Sequence, residues 1–178
     1  MKILAIQNRM GIGDTVIFLP FIKALSKKFN SPISLLVKEN SKAHEYLHQT
    51  KYIDNIIFLE RDKKINNRHD GLFGIFNLVK DIKKYKFDKI IIFNSSVRFN
   101  LIARLSSIPK IYQYPLLKKD KQNIIDTPKK FIKDKFNLEV NDDPEINIKD
   151  ELVQSVLSKY QIEKFDTCIL LGIGGSGP

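Results

Sequence analysis

Short runs of β-branched and other apolar residues alternate with longer runs of helical periodicity along almost the whole sequence. The short runs have the length and composition of β-strands. They occupy residues 2–7, 33–37, 55–59, 88–93, 110–114 and 167–171. The segments with helical spacing occupy residues 15–29, 41–48, 72–85, 97–106, 127–136 and 150–160. This alternation predicts an α/β fold, a parallel sheet with the first strand near its middle and helices on both faces.

Local residue choices refine this prediction. Residues 90–93, Ile-Ile-Ile-Phe, are apolar at every position, as expected of a central strand that is buried on both faces. Pro20 lies inside the first helical segment, where it removes a backbone hydrogen bond. It therefore predicts a kink in a helix that begins at about Asp14. Thr127 and Pro128 have the residue types of a helix N-cap and first helical position.

The length and composition fit a globular protein of a reducing compartment. The 178 residues, 43% of them hydrophobic, suffice for one domain with a substantial core but not for two of ordinary size. Cys168 is the only cysteine, so no disulfide can form within the chain. No apolar run approaches the ~20 residues of a membrane span. The first one ends at Gln7, too early for a signal peptide.

The chain is strongly basic, with 30 lysine and arginine residues against 20 acidic residues and a formal charge of +10. A basic surface favours anionic partners such as nucleic acids, anionic lipids and phosphorylated substrates. Lysines occur in nearly every segment, and no arginine-rich patch interleaved with aromatic residues stands out. We therefore expect no nucleic-acid partner. A basic binding module without chemistry stays open as an interpretation.

A glycine turn with an aspartate joins the first predicted strand to the first helix. Its sequence is Arg9-Met10-Gly11-Ile12-Gly13-Asp14. Ligands of open parallel sheets bind where strands end and helices begin, and a glycine turn there exposes backbone N–H groups and the positive end of a helix. Asp14 fits two roles, a helix cap or a general base that meets its target proton within hydrogen-bond reach. The sequence leaves both open.

The same turn matches part of the dinucleotide-binding fingerprint. Gly11 and Gly13 stand at the first two glycine positions, and Glu39 stands near the end of the second strand, where a ribose-binding acid belongs. Val16 replaces the third glycine, however, and Asp14 would repel a pyrophosphate. A nucleotide- or dinucleotide-binding domain of another enzyme is therefore the alternative interpretation.

One short motif suggests zinc. His44-Glu45-Tyr46-Leu47-His48 matches the signature H-E-x-x-H. The predicted helix around it is short, the residues ahead of it are polar, and no third ligand is evident on a later helix. We therefore expect a coincidence and no bound metal.

Polar residues follow the most apolar strand, in the order Asn94-Ser95-Ser96-Val97-Arg98. Either Ser95 or Ser96 would serve as a helix cap. The same position faces ligands in an α/β sheet, where an arginine binds phosphate or carboxylate in fork geometry. A structural role and a binding role are equally open for these residues.

The composition of the sequence changes after residue 138. Residues 139–144 are polar and acidic and end in a proline, which indicates a linker. A helix and a strand follow, and the strand runs into a glycine-rich segment at residues 172–178. We predict one domain over residues 1–148. Residues 149–178 would form a linker helix and the first strand and loop of a second, truncated domain.

Several of these blocks together resemble the ADP-heptose:lipopolysaccharide heptosyltransferases, which form glycosyltransferase family 9. The resemblance lies in the opening strand, its "GD" turn and proline-bearing helix, the central strand with the helix after it, and the C-terminal glycine loop. The matching residues are 3–6, Gly11, Gly13, Asp14, Pro20, 87–92, Ser95, Arg98, Arg104 and 174–178. The resemblance spans nearly all of this chain and about the first half of a typical family member.

The resemblance implies a GT-B glycosyltransferase with two facing Rossmann-like domains, of which this chain supplies the acceptor side. Asp14 matches the family's catalytic base, which deprotonates the acceptor hydroxyl as that oxygen attacks the anomeric carbon with inversion. It implies acceptor contacts from Arg9, Gly11, Gly13, Ser95, Ser96 and Arg98. It implies a donor diphosphate loop that begins at Gly174, Gly175 and Ser176. No metal is implied.

The resemblance also implies the substrates and the setting. The expected donor is a nucleotide sugar, ADP-heptose or a relative of it, which acts as co-substrate and not as a bound cofactor. The expected acceptor is an anionic glycolipid of the lipopolysaccharide core. A cytoplasmic monomer in peripheral contact with the inner membrane follows from these expectations. Because the donor-site residues further on are absent, we expect this fragment alone to be inactive.

Overall fold

The computed structural model describes residues 1–9, 11–61, 67–116 and 123–163. Within them lies a five-stranded sheet. Its strands are β1 (Ile3–Ile6), β2 (Ile33–Lys38), β3 (Ile53–Leu59), β4 (Lys89–Ile92) and β5 (Lys110–Gln113). All neighbouring strands are parallel, in the order β3-β2-β1-β4-β5. The predicted α/β, Rossmann-like fold with the first strand in the middle of the sheet is confirmed.

The helices follow the strands as the sequence pattern predicted. They are α1 (Ile12–Phe29), α2 (Ala43–Leu47), α3 (Phe73–Lys83), α4 (Val97–Leu105), α5 (Asp126–Phe136) and α6 (Asp150–Lys159). A 3₁₀ turn, Glu39–Ser41, precedes α2. Pro20 lies buried inside α1 and neither starts nor ends that helix.

Each face of the sheet has its own core. Ile3 and Ala5 of β1 pack with buried residues of α1 and α5 on one face. Leu4 and Ile6 pack with buried residues of α3 and α4 on the other. All four residues of β1 are buried, as required of a parallel strand that is covered on both sides. Helices α1 and α5 therefore cover one face of the sheet, and helices α3 and α4 cover the other.

Two helix starts differ from the sequence-based boundaries. The helix predicted from about Asp14 begins at Ile12, with Gly11 in the cap position. The helix predicted to be capped by Thr127 begins at Asp126. At this helix Asn123 Oδ1 accepts a hydrogen bond from the backbone N of Ile125 at 2.7 Å and another from the backbone N of Asp126 at 3.0 Å.

The chain divides into two compact units, Met1–Asn147 and Ile148–Pro178. In the second unit the structure describes α6, none of whose residues is buried. The predicted strand at 167–171 and the glycine loop after it lie outside the described residues. Among the helices that are described, none has the length and apolar character needed to cross a membrane.

Candidate functional site

The loops that follow β1 and β4 lie side by side, because these two strands are parallel neighbours. Each loop leads directly into a helix, α1 or α4. One hydrogen bond joins the loops, from Asn94 Nδ2 to Asn8 Oδ1 at 3.2 Å. We call this side of the sheet, beyond the carboxyl ends of the strands, the carboxyl edge. It is where ligands bind in open parallel sheets, and the predicted site residues from both loops lie along it.

Asp14 lies in the first turn of α1, two residues beyond the point where the helix begins. Gly11, the cap residue, has a φ of 108°, which L side chains rarely adopt, so this turn requires glycine. Asp14 Oδ2 lies 3.8 Å from the point where a Cβ on Gly11 would stand, so the carboxylate points back toward the turn. The positive end of the helix dipole stabilises a negative charge there.

The Asp14 carboxylate makes no hydrogen bond or ion pair within the part of the chain that the structure describes. It does not occupy the cap position and forms no capping bond, so the cap interpretation is wrong. Its side chain is partly exposed at the carboxyl edge. Neither carboxylate oxygen is therefore bound by a described residue, and the side chain faces the edge where a ligand would lie.

The loop after β4 is held by side chains from β5 and α4. Gln113 Nε2 donates to the carbonyls of Asn94 and Ser96, at 3.0 and 2.9 Å. Gln113 Oε1 in turn accepts from Asn100 Nδ2 at 2.8 Å. This network holds the backbone of the loop that carries Ser95 and Ser96.

Ser96 occupies the N-cap position of α4, but its side chain forms no capping bond. Instead Asn94 Oδ1 accepts a hydrogen bond from Ser96 N at 2.9 Å. The serine cap proposed from the sequence is therefore wrong for Ser96. Ser95 and Ser96 are both partly exposed at the carboxyl edge, and their binding role stays a prediction.

Arg98 turns toward the loop between β3 and α3. Its Nη1 donates to the Gly71 carbonyl at 2.9 Å, and its Nη2 donates to the His69 carbonyl. Burial lowers the pKa of Arg98, and the charge of Arg61 acts in the same direction. Among the described residues no hydrogen bond or ion pair joins Arg98 to Asp14. Acceptor binding by Arg98 stays a prediction, but the guanidinium already has a structural role.

The loop that Arg98 contacts is built around a buried histidine. His69 is 2% exposed, its Nδ1 accepts from Glu60 N at 3.0 Å, and its N donates to Glu60 O at 3.0 Å. His69 Nε2 lies 3.2 Å from Asp81 Oδ2. Burial alone would raise the pKa of Asp81, but hydrogen bonds from Lys84 and His69 outweigh it and lower that pKa. These contacts hold the backbone of His69, which lies next to Gly74 in the first turn of α3.

Arg98→Ala should lower the free energy of unfolding by about 2 kcal/mol, because it removes two charge-assisted hydrogen bonds and leaves two carbonyls unpaired. Arg104→Ala is the matched control in the same helix. In the part of the chain that the structure describes, its exposed guanidinium bonds only to Asn100, and its loss should change stability by less than ~0.5 kcal/mol. Chemical denaturation of both variants measures the difference. Equal stabilities would mean that the contacts of Arg98 contribute nothing to the fold.

Sequence reasoning missed two buried polar residues near the site. Gln7 directly follows β1, is 3% exposed, and its side-chain Nε2 and Oε1 have no hydrogen-bond partner among the described residues. Tyr114 directly follows β5, is 3% exposed, and its hydroxyl likewise has no partner within the described ranges. Burial raises the pKa of Tyr114, against the nearby charge of the exposed Arg9. The signal in the sequence was a polar residue at the carboxyl end of an otherwise apolar strand.

Gln7→Met should raise the free energy of unfolding by about 1 kcal/mol. A buried amide without partners costs ~1–3 kcal/mol, and methionine fills similar space without polar atoms. Gln7→Glu is the control, since it keeps the shape but buries a charge, and it should destabilise the chain by several kcal/mol. Thermal or chemical unfolding measures both. A loss of stability in Gln7→Met would show that the amide is hydrogen-bonded in solution.

The remaining predicted residues divide into two groups. The polar residues of the zinc-like motif, His44, Glu45 and His48, are exposed; the first two lie on the five-residue helix α2 and His48 is its C-cap. Within the described ranges no cluster of three or more histidine, cysteine, aspartate or glutamate side chains could hold a metal ion. Gly174, Gly175 and Ser176, predicted to bind the donor, lie outside the described residues.

Comparison with known proteins gave matches among solved structures alone. No family model matched the chain, and no curated protein did. The structure of a glycosyl transferase family 9 protein from Veillonella parvula matches with a TM-score of 0.72 and 20% identity. That match covers 99% of this chain and 55% of the other.

Two structures from E. coli also match. ADP-heptose LPS heptosyltransferase II has a TM-score of 0.58 at 12% identity, over 92% of this chain and 52% of its own. Heptosyltransferase WaaC, solved with ADP-2-deoxy-2-fluoro heptose, has a TM-score of 0.52 at 10% identity. That match covers 79% of this chain and 50% of the WaaC chain. The chain thus spans about half the length of each structure. The likeness to family 9 and heptosyltransferase structures that the motifs indicated is confirmed, and at these identities it is a likeness of fold.

Proposed function

We propose that this chain is the acceptor-binding part of an inverting glycosyltransferase. Its expected reaction moves a heptose or related sugar from a nucleotide sugar, with ADP-heptose the first choice of donor, to an anionic glycolipid of the lipopolysaccharide-core type. The observation that carries the proposal is the Asp14 carboxylate, unpaired among the described residues at the start of α1. The fold shared with heptosyltransferase structures supports it.

In this mechanism Asp14 accepts the proton of an acceptor hydroxyl. The acceptor oxygen forms a bond to the anomeric carbon from the side opposite the leaving group. The bond from that carbon to the nucleoside diphosphate breaks, and its electron pair leaves with the diphosphate. Configuration at the carbon is inverted, and no metal is required by these steps.

The other proposed contacts lie along the carboxyl edge. Gly11 and Gly13 would let an acceptor approach the backbone. Among the described residues, nothing stands within 4 Å of the place where a Cβ on Gly13 would be. Arg9 is exposed and would attract acidic groups of the acceptor. Ser95 and Ser96 would offer hydroxyl groups from the rigid loop after β4. The donor diphosphate would bind at Gly174, Gly175 and Ser176.

The test uses the protein that contains this chain together with the donor-binding part. It is incubated with ADP-heptose and a heptose-deficient lipopolysaccharide core, and acceptor-dependent release of ADP is measured. Release that requires both substrates, with a product of inverted configuration, supports the proposal. Absence of transfer with every nucleotide sugar tried, together with micromolar or tighter NAD binding, would favour the dinucleotide-binding alternative instead.

A further inference from the structure

Three apolar side chains at the start of α3 project into solvent. Leu72, Phe73 and Phe76 are 78%, 85% and 64% exposed. The opposite side of α3 is buried in the core beneath it. Single exposed apolar residues are normal, but a group of large ones within five positions marks an interaction site. We call these three residues the α3 apolar cluster.

The neighbouring helix extends this surface. α3 and α4 pack on the same face of the sheet and share one core. On α4 the exposed apolar residues Val97, Leu101 and Leu105 are 52%, 43% and 40% exposed. They are spaced four residues apart and therefore form one stripe along the helix. The outer surface of the α3–α4 layer thus carries apolar side chains on both helices.

Unpaired cations lie on the same surface. Lys80 and Lys83 follow Phe73 and Phe76 along the exposed face of α3, and within the described ranges neither forms an ion pair. Asp81 is the only acidic residue of α3 and α4, and its carboxylate is already bound to Arg68, Lys84 and His69. The charge of this surface is therefore positive and not compensated from within the layer.

We propose that the outer surface of α3 and α4 docks on an anionic lipid bilayer. Side chains that protrude as far as Phe73 suit insertion at the level of lipid head groups, while lysines beside them bind the negative surface. A second copy of the chain fits less well, since it would bring two sets of unpaired lysines together. The inference adds a membrane-binding surface to the proposed function. It depends on that function only for the identity of the lipid-linked acceptor.

The position of the surface matches a reaction at a membrane. Leu72 and Phe73 stand at the start of α3, and Val97 is the first residue of α4. Helix starts in this fold lie at the carboxyl edge, the same edge that holds Asp14. A bilayer bound there would bring the head group of a lipid-linked acceptor beside the proposed base.

Tryptophan fluorescence gives the direct test, because the chain contains no tryptophan. Phe73→Trp places a single reporter in the α3 apolar cluster, and Ile125→Trp places one at a 43% exposed position next to α5, on the other side of the sheet. Vesicles of phosphatidylglycerol mixed with phosphatidylcholine should shift the emission of the first reporter to shorter wavelength and leave the second unchanged. Vesicles of phosphatidylcholine alone should shift neither. The readout needs no sugar transfer, so the two proposals can fail separately.

Co-sedimentation with the anionic vesicles measures the contribution of each feature. Lys80→Gln/Lys83→Gln should weaken binding about 25-fold, or roughly fivefold for each lysine near the lipid surface. Lys129→Gln/Lys130→Gln on α5 lowers the net charge by the same amount and should change binding by less than about twofold. Phe73→Ser/Phe76→Ser should weaken binding by roughly tenfold or more, and Ile125→Ser should not.

Three outcomes would overturn the proposal. The first is no binding to anionic vesicles. The second is equal weakening by the α3 and α5 lysine pairs, which would show attraction by total charge and not by this surface. The third is concentration-dependent dimerisation that disappears in Phe73→Ser/Phe76→Ser without any vesicle binding, which would make a second copy the occupant.

Discussion

Asp14→Asn is expected to slow sugar transfer by about 10²–10⁴, the usual contribution of a general base. Asparagine keeps the size of the side chain but cannot take the acceptor proton. The fold should tolerate the change, since Asp14 makes no hydrogen bond within the described residues. Loss of the charge near the helix dipole costs ~0.3–1 kcal/mol, so the melting temperature should fall only slightly. Initial rates and thermal unfolding, measured on the same preparations, separate the two effects.

Asp126→Asn is the matched control for this experiment. Asp126 also lies in the first turn of a helix, α5, so its replacement loses a similar interaction with a helix dipole. It has no part in the proposed chemistry, and transfer should stay near the wild-type rate. If Asp14→Asn also transferred sugar at nearly the wild-type rate, Asp14 would not be the base.

Gly74→Ala is expected to lower the free energy of unfolding by about 3 kcal/mol, at the upper end of the cost of overpacking. A Cβ at this position would stand 2.1 Å from the backbone C of His69 and 2.4 Å from its O. That backbone cannot easily retreat, because Glu60 and Arg98 hold it from other sides. The start of α3 would have to shift instead. Equilibrium denaturation measures the loss.

Gly13→Ala provides the comparison at the same helical position. Gly13 is the second residue of α1, as Gly74 is of α3. No described residue has an atom within 4 Å of the place where a Cβ on Gly13 would stand. Alanine is the better helix former, so stability should be unchanged or rise by up to ~1 kcal/mol. Similar losses in both variants would show that the cost comes from the helix position and not from contact with His69.

The fold could be predicted because the central strands β1, β2 and β4 are buried on both faces, and helices α1, α3, α4 and α5 are buried on one. Those burial patterns leave unbroken apolar runs and helical spacing in the sequence. The pattern was weakest at the edge strand β3, predicted from residue 55 but observed from Ile53. Asp54 and Asn55 are exposed there, so pairing with β2 and not burial defines the first residues of this strand.

The site was predictable only where it depends on local chain order. A strand, a glycine turn and a helix place Asp14 at the carboxyl edge whatever the rest of the chain does. The orientation of Arg98 depends on carbonyls at positions 69 and 71, which reach it only through the packing of α3 on α4. The burial of the Gln7 side chain likewise arises from tertiary packing. Such contacts leave no local signal in a single sequence.

The central position of β1 has a consequence for synthesis of the chain. Ile3 pairs with Ile33 on one side and with Lys89 on the other, so the second neighbour of β1 is encoded far downstream. At ~5–20 residues per second, roughly 4–17 s pass between translation of the end of β1 and the end of β4. During that interval the apolar strand Ile3–Ile6 has one edge without a partner. A nascent chain of this topology therefore exposes its most buried strand to aggregation until β4 leaves the ribosome.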